Sequence, residues 1–210
     1  NLGRANDGSY YETQNYAITE SHEPGSTFKL VDLIAVLDDK KADTSKIYDS
    51  KGGVIEYYGR KVRDSKPGGY GKISLARGFE LSSNTVLVQS VYDSYKNNPK
   101  QFVDRINSYG LNKPLGLPIK GEGKPVIPQP GTNRWSGVAL PWMAFGYGLS
   151  VTPLQTLTLY NAVANDGVMV KPIFVSEIKE WNKTIKKFDT QVINPKICSQ
   201  ETLDKVHAVL

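Results

Sequence analysis

Two short polar stretches have the residue types and spacing for acyl chemistry. In EPGSTFKL, Glu23–Leu30, a serine and a lysine stand three apart just as apolar periodicity begins. On a helix that spacing brings the Lys29 amine within one turn of the Ser26 hydroxyl, as Ser-Lys nucleophilic catalysis requires. The amine must also be uncharged, and at an ordinary pKa of ~10.4 only about one lysine in a few thousand is neutral at pH 7. Burial and the positive end of a helix dipole would both lower that pKa. The same helix start would favour an oxyanion near the Ser26 backbone amide. Ser26 has a second available role, because a serine after Pro-Gly is a common helix cap. Ser-x-x-Lys also recurs at Ser176–Lys179 in a strand-like stretch, so spacing alone leaves both roles open.

The second stretch is Ser82-Ser83-Asn84, between the apolar segment ISLARGFEL and a helix expected to begin at Thr85. It offers a hydroxyl for proton relay and an amide that can donate to and accept from a peptide bond. Ser83 or Asn84 can also cap the following helix. His22 lies near Ser26, but in Ser-His sites the histidine usually comes from a separate element and is oriented by a carboxylate, so nearness along the chain argues little for a Ser-His pair. Trp135, Trp142, Phe145 and Tyr147 are core candidates that could also wall a cleft.

The elements that must position these groups can be read from periodicity and punctuation. Phe28 to Leu37 reads as a helix apolar on most sides, which belongs in a core. Ile47 to Tyr70 reads as small strands or a hairpin at the surface, and NTVLVQSVYDSY and PKQFVDRINSYG as helices. Leu111–Arg134 is too rich in Pro and Gly for regular structure and reads as an ordered crossing loop. Thr152-Pro153 begins a helix that stops at Asn165-Asp166-Gly167. IFVSEIKEW and TIKKFDTQVI read as a hairpin turning at Asn182-Lys183, and a last helix starts near Ser199.

Composition narrows the function classes. The 210 residues are 39% hydrophobic and 22% charged, as in a globular domain. The net charge of +5 is spread along the chain, which argues against nucleic acid as a partner. Cys198 is the lone cysteine and His22 and His207 the only histidines, so neither an internal disulfide nor a metal or other cofactor is expected. No apolar run approaches the roughly 20 residues that span a bilayer. The chain opens without Met and stops inside an apolar repeat, so residues 1–210 are expected to be one partial domain truncated at both ends.

Taken together, EPGSTFK, SSN and FGYGLSVTPLQTLTLYNAVANDGVMVKP resemble the transpeptidase domain of class B penicillin-binding proteins. The resemblance runs over essentially the whole chain and implies an α+β fold. Expected here is the helix-rich part of the penicillin-binding protein and serine β-lactamase-like transpeptidase fold, with small hairpins and most of the central antiparallel sheet missing. It implies Ser26 as acylated nucleophile, Lys29 as proton acceptor, and Ser82 with Asn84 as the motif that relays protons and holds the substrate peptide. The implied partners are peptidoglycan stem peptides, β-lactam antibiotics and membrane proteins of cell division or elongation. The implied location is the extracytoplasmic side of a bacterial inner membrane, through an N-terminal anchor this chain lacks. The family's third motif, Lys-Thr/Ser-Gly, is not in the sequence; Lys183-Thr184-Ile185 is nearest and reads as a surface turn, so the motif is expected beyond Leu210. A strand of that sheet supplies one oxyanion donor in the family, and losing such a donor costs ~10²–10³ in rate, so the isolated chain is expected to be a poor enzyme. Exposed apolar helix faces would also make it prone to pairing. Ser-Thr-Phe-Lys resembles class D β-lactamases and their receptor relatives as well, which makes a β-lactam hydrolase or sensor one alternative. A non-catalytic peptidoglycan-binding scaffold is the other.

Overall fold

The computed structural model describes residues 2–210. It opens with a hairpin of β1 (Leu2–Arg4) and β2 (Tyr10–Glu12), then the one-turn helix α1 (Tyr16–Thr19). A 3₁₀ turn at Gly25–Phe28 runs directly into α2 (Lys29–Asp38). Next come β3 (Ile47–Asp49), the hairpin β4 (Val54–Tyr57) and β5 (Arg60–Arg63), and β6 (Lys72–Ser74). The helices α3 (Leu75–Glu80), α4 (Asn84–Tyr95), α5 (Pro99–Ser108), α6 (Ala139–Met143) and α7 (Pro153–Ala164) follow. The chain closes with β7 (Met169–Val170), β8 (Glu177–Glu180), β9 (Lys183–Lys187), β10 (Val192–Asn194) and α8 (Gln200–His207). Among the described residues every sheet is an antiparallel pair: β1 with β2, β3 with β6, β4 with β5, β7 with β10, and β8 with β9. This is the expected α+β, helix-rich architecture without a broad sheet.

The apolar run after Lys29 makes α2 the axis of the core. Every residue from Lys29 to Leu37 is buried, with α4, α5 and α8 packed around it. Full burial of a Leu, Ile or Val side chain contributes roughly 1.5–3 kcal/mol, so this helix supplies much of the stabilisation. Its end is acidic, which opposes the helix dipole, and neighbouring elements satisfy it. Asp38 pairs with Arg105 at 2.9 Å and accepts from the Ser199 amide at 2.8 Å, capping the approach to α8. Asp39 accepts from Arg105 and, at 2.8 Å, from the Tyr95 hydroxyl.

Several local expectations need correction. Ser26 is not a cap: Pro24 already has helical φ and ψ and begins the turn, so Ser26 lies inside it. ISLARGFEL is a short strand followed by α3, whose N-cap is Ser74. The late hairpin is shorter than expected and turns at Trp181-Asn182, while Val192–Asn194 pairs with β7 instead. The β4–β5 hairpin is more than a surface excursion, because Val62 is buried in the core. Asn84–Tyr95 does form a helix, capped by Ser83, whose hydroxyl accepts from the Val86 amide. Thr152 and Gln155 form a capping box on α7, and the Pro- and Gly-rich stretch from 111 to 134 is an irregular crossing tied down by Glu122 and by a Val126–Ser150 bridge.

Gly78 sets the approach of α3 to α4, since a Cβ there would lie 2.4 Å from Val86 Cγ1. Gly78→Ala is expected to destabilise the chain by about 1–3 kcal/mol in urea unfolding, as overpacking does, and Val86→Ala in the same chain should recover part of that loss.

Candidate active site

The 3₁₀ turn explains how Ser26 meets Lys29. With three residues per turn, positions i and i+3 eclipse, and the Lys29 amide bonds the Ser26 carbonyl at this junction. The Ser26 hydroxyl, not used as a cap, accepts from Lys29 Nζ at 3.2 Å. The preceding strand-like segment is clamped from across the chain. His22 and Val151 exchange backbone bonds at 3.1 Å, Gly25 N donates to Gly146 O at 3.0 Å, and Glu23 accepts from Gly148 N at 2.8 Å. Tyr160 of α7 donates to the Thr27 carbonyl at 3.0 Å. Gly146 has φ +83°, and a Cβ on it would sit 2.0 Å from the Gly25 carbonyl oxygen. The Gly-Tyr-Gly stretch is therefore the mould against which the serine turn is cast.

Lys29 then bridges to the second motif. It donates to Ser82 Oγ at 2.9 Å and to the Ser82 carbonyl at 2.7 Å, so all three ammonium donors are engaged. It is only 2% exposed. Burial brings its pKa down from 10.5 to about 8, against the opposing pull of the Asp32 and Asp64 carboxylates. Ser82 adopts φ +52°, a left-handed conformation that strains a residue bearing a Cβ. The strain is held from both sides: Ser82 N bonds Phe79 O and Ser83 N bonds Gly78 O, each at 2.8 Å.

On the far side of Ser82 the chain is fixed by the β4–β5 hairpin. Asn84 opens α4, and its Nδ2 donates to the Arg63 carbonyl at 2.7 Å. Asp64, next in the chain, accepts from Ser83 Oγ at 3.0 Å, Thr85 N at 2.9 Å and Thr85 Oγ1 at 2.8 Å. A carboxylate at a helix N-terminus is favoured by the dipole and by the free amides there. Sequence reasoning missed Asp64. Its only local signal is its place just after the short strand β5.

The structure thus brings Ser26, Lys29 and Ser82 together, with Asn84 beside them but tethered to the hairpin. His22 is exposed and takes part through its backbone. Lys183-Thr184-Ile185 is exposed on β9, which among the described residues pairs only with β8. Trp142, Phe145 and Tyr147 form a ring chain with centroid spacings of 5.6 and 4.9 Å, directly ahead of the clamp. Among the described residues, no cluster of His, Cys, Asp or Glu could hold a metal.

Residues 3–210 match the family model for the penicillin-binding protein transpeptidase domain. The chain belongs to this family. It is 28% identical to stage V sporulation protein D of Bacillus subtilis, over 97% of this chain and 31% of that protein. It is also 28% identical to the peptidoglycan D,D-transpeptidase FtsI of Escherichia coli K12, over 79% of this chain and 26% of that protein. Among solved structures, the D,D-transpeptidase domain of a peptidoglycan glycosyltransferase from Eggerthella lenta aligns with a TM-score of 0.83 at 27% identity, covering 94% of this chain and 49% of that one. Penicillin-binding protein 3 of Mycobacterium tuberculosis, solved with aztreonam, aligns with a TM-score of 0.76 at 25% identity, covering 95% of this chain and 43% of that one. The chain spans less than a third of the length of these two curated relatives. Three stretches of this chain form one mechanical unit: residues 146–151 clamp the turn that bears Ser26, and that turn grips the Ser82 segment through Lys29.

Asp64→Ala is expected to cost about 2–3 kcal/mol in urea unfolding, since it removes charge-assisted bonds at a helix start, and to raise amide exchange at Ser83–Val86 selectively.

Proposed function

We propose that the protein acts as a peptidoglycan D,D-transpeptidase through a serine acyl-enzyme. The observation that carries this reading is the buried Lys29 amine lying within hydrogen-bond distance of two serine hydroxyls. Ser26 Oγ attacks the penultimate D-Ala carbonyl of a stem peptide while its proton passes to neutral Lys29 Nζ. The tetrahedral intermediate collapses with cleavage of the C–N bond to the terminal D-Ala, whose nitrogen receives a proton relayed through Lys29 and Ser82. An amine of a neighbouring strand then attacks the ester carbonyl, and Ser26 recovers its proton by the reverse route. The amide of Asn84 orients the substrate peptide from the edge of the site. A β-lactam acylates Ser26 by the same attack, but its leaving nitrogen stays tethered and the ester persists.

With a pKa of about 8, roughly one Lys29 in ten is neutral at pH 7, against one in a few thousand at the ordinary value. We place the Lys-Thr/Ser-Gly motif and its strand beyond Leu210, so residues 1–210 carry two of three motifs and need an extended form for full rate. The setting we propose is the outer face of the cytoplasmic membrane, with an anchor and division or elongation proteins supplied outside these residues. No helix among the described residues is long and apolar enough to cross a membrane.

Intact mass and peptide mapping after benzylpenicillin treatment test the reading, on this chain and on a form extended through the third motif. A stable adduct on Ser26 of the extended form, absent in Ser26→Ala, is expected. Rapid loss of the adduct would instead indicate a hydrolase, and a folded protein that takes none would indicate a scaffold.

Lys29→Ala should slow acylation by about 10²–10⁴-fold, the range for loss of a general base. Because burial lowers the Lys29 pKa, the competent neutral amine is present above about pH 8 and is lost as pH falls. The acylation rate constant of the extended form should therefore drop about tenfold per unit below that pH, and level off above it.

A further inference from the structure

One ionisable side chain in the core has no part in the acyl-transfer scheme. Asp32 is fully buried on α2 between Leu30, Val31, Leu33 and Ile34, and neither of its carboxylate oxygens has a hydrogen-bond partner among the described residues. Burial pushes its pKa well above the usual carboxylate range, and the Lys29 ammonium pulls it back. Leaving a carboxyl alone in an apolar core is costly, and an apolar side chain would fit this helix better.

Its position suggests what the cost sustains. Asp32 follows Lys29 by three residues, on the same face of α2 and one turn deeper. All three Lys29 donors go to Ser26 and Ser82, so Asp32 is not a hydrogen-bond partner of the lysine, and its carboxylate, when ionised, acts on the amine through space. In a poorly polarisable interior such an interaction is strong and little screened by salt. Of the other charges around α2, Asp64 also acts on Lys29 and the rest are committed elsewhere. Asp64, from the β4–β5 hairpin, is the second carboxylate acting on Lys29. Arg105 of α5 pairs with Asp38 and Asp39 at the opposite end of the helix. Tyr95 of α4 bonds Ala35 and Asp39 there, and Lys205 of α8 pairs with Asp43 and Glu201.

We propose that Asp32 is a positioning residue that acts through Lys29, its buried carboxylate holding the proton on the lysine amine and so setting the pH at which Ser26 gains its base. The link to Ser26 rests on the acyl-transfer reading, whereas the coupling between Asp32 and Lys29 does not. The two are separated by an experiment that needs no substrate: a pH titration of the folded chain labelled with ¹³C at lysine Cε, with the Lys29 signal assigned by its loss in Lys29→Arg. Asp32→Asn removes the charge and keeps the shape. It is expected to lower the Lys29 midpoint by about one unit, which takes the neutral amine at pH 7 from about one in ten to about one in two, roughly a fivefold gain, and the shift should persist in high salt. Asp32→Leu should give the same shift with a higher Tm, and it decides the matter if the Asn variant does not fold. An unchanged Lys29 midpoint in whichever variant folds would overturn the proposal, because the carboxyl would then be neutral or too weakly coupled to matter. With the coupling established, the acylation profile of Asp32→Asn in the extended form should move to lower pH; no adduct there would count against the transpeptidase reading alone.

Discussion

The structure depends on keeping one lysine amine out of water and between two hydroxyls. Lys29 is among the largest fully buried side chains, and its location at the first turn of the most buried helix makes that possible. A lysine in a core is ordinarily unfavourable, and here two features offset the cost. Three acceptors satisfy its donors, and the carboxylates of Asp32 and Asp64 partly balance its charge. The residual desolvation appears as a lowered pKa, which is the property an amine needs to serve as a base near neutral pH. Core packing and chemical competence are in this respect the same fact.

Holding Ser26 against that amine requires a turn that cannot drift. Its neighbours are fixed by backbone bonds to the 146–151 segment, where Gly146 brings main chain against main chain at a distance no side chain would permit. The capping box of α7 begins directly after this segment, and the same helix sends Tyr160 back to the Thr27 carbonyl. A well-specified helix start thus anchors a poorly regular segment, which in turn fixes the serine turn. Two-stranded sheets do not provide this rigidity. The helices and their cross-bonds do.

What was legible in the sequence follows from the range of the interactions. Ser26 and Lys29 are three apart, Ser83 caps its own helix, and Thr152 before Pro153 opens another, so each could be found from local sequence. The meeting of Lys29 with Ser82 spans 53 residues and was reached only through resemblance. Asp64 reaches Ser83 and Thr85 across about 20 residues from a hairpin with no chemical signature, and nothing local announced it. Ser26 does not take the cap role open to it, because Pro24 starts the turn earlier than Ser/Pro-Gly preferences suggest and leaves the serine inside its first turn. The late hairpin slipped because Val192–Asn194 had a competing partner in Met169–Val170, a choice that alternation within one strand cannot decide.

Ser82 shows why the second motif tolerates strain. One ammonium takes both the hydroxyl and the carbonyl of this residue, at 2.9 and 2.7 Å. This occurs with the backbone turned into the left-handed region, where glycine would be at ease but would bring no hydroxyl. The penalty for a Cβ at that φ is of the order of 1–2 kcal/mol, within reach of two charge-assisted hydrogen bonds. It is also shared with the anchors on either side, Gly78 O for Ser83 N and Asp64 for Thr85. Neither glycine nor an unstrained serine would give Lys29 both acceptors from one residue, so the strained conformation is the one that fits the amine.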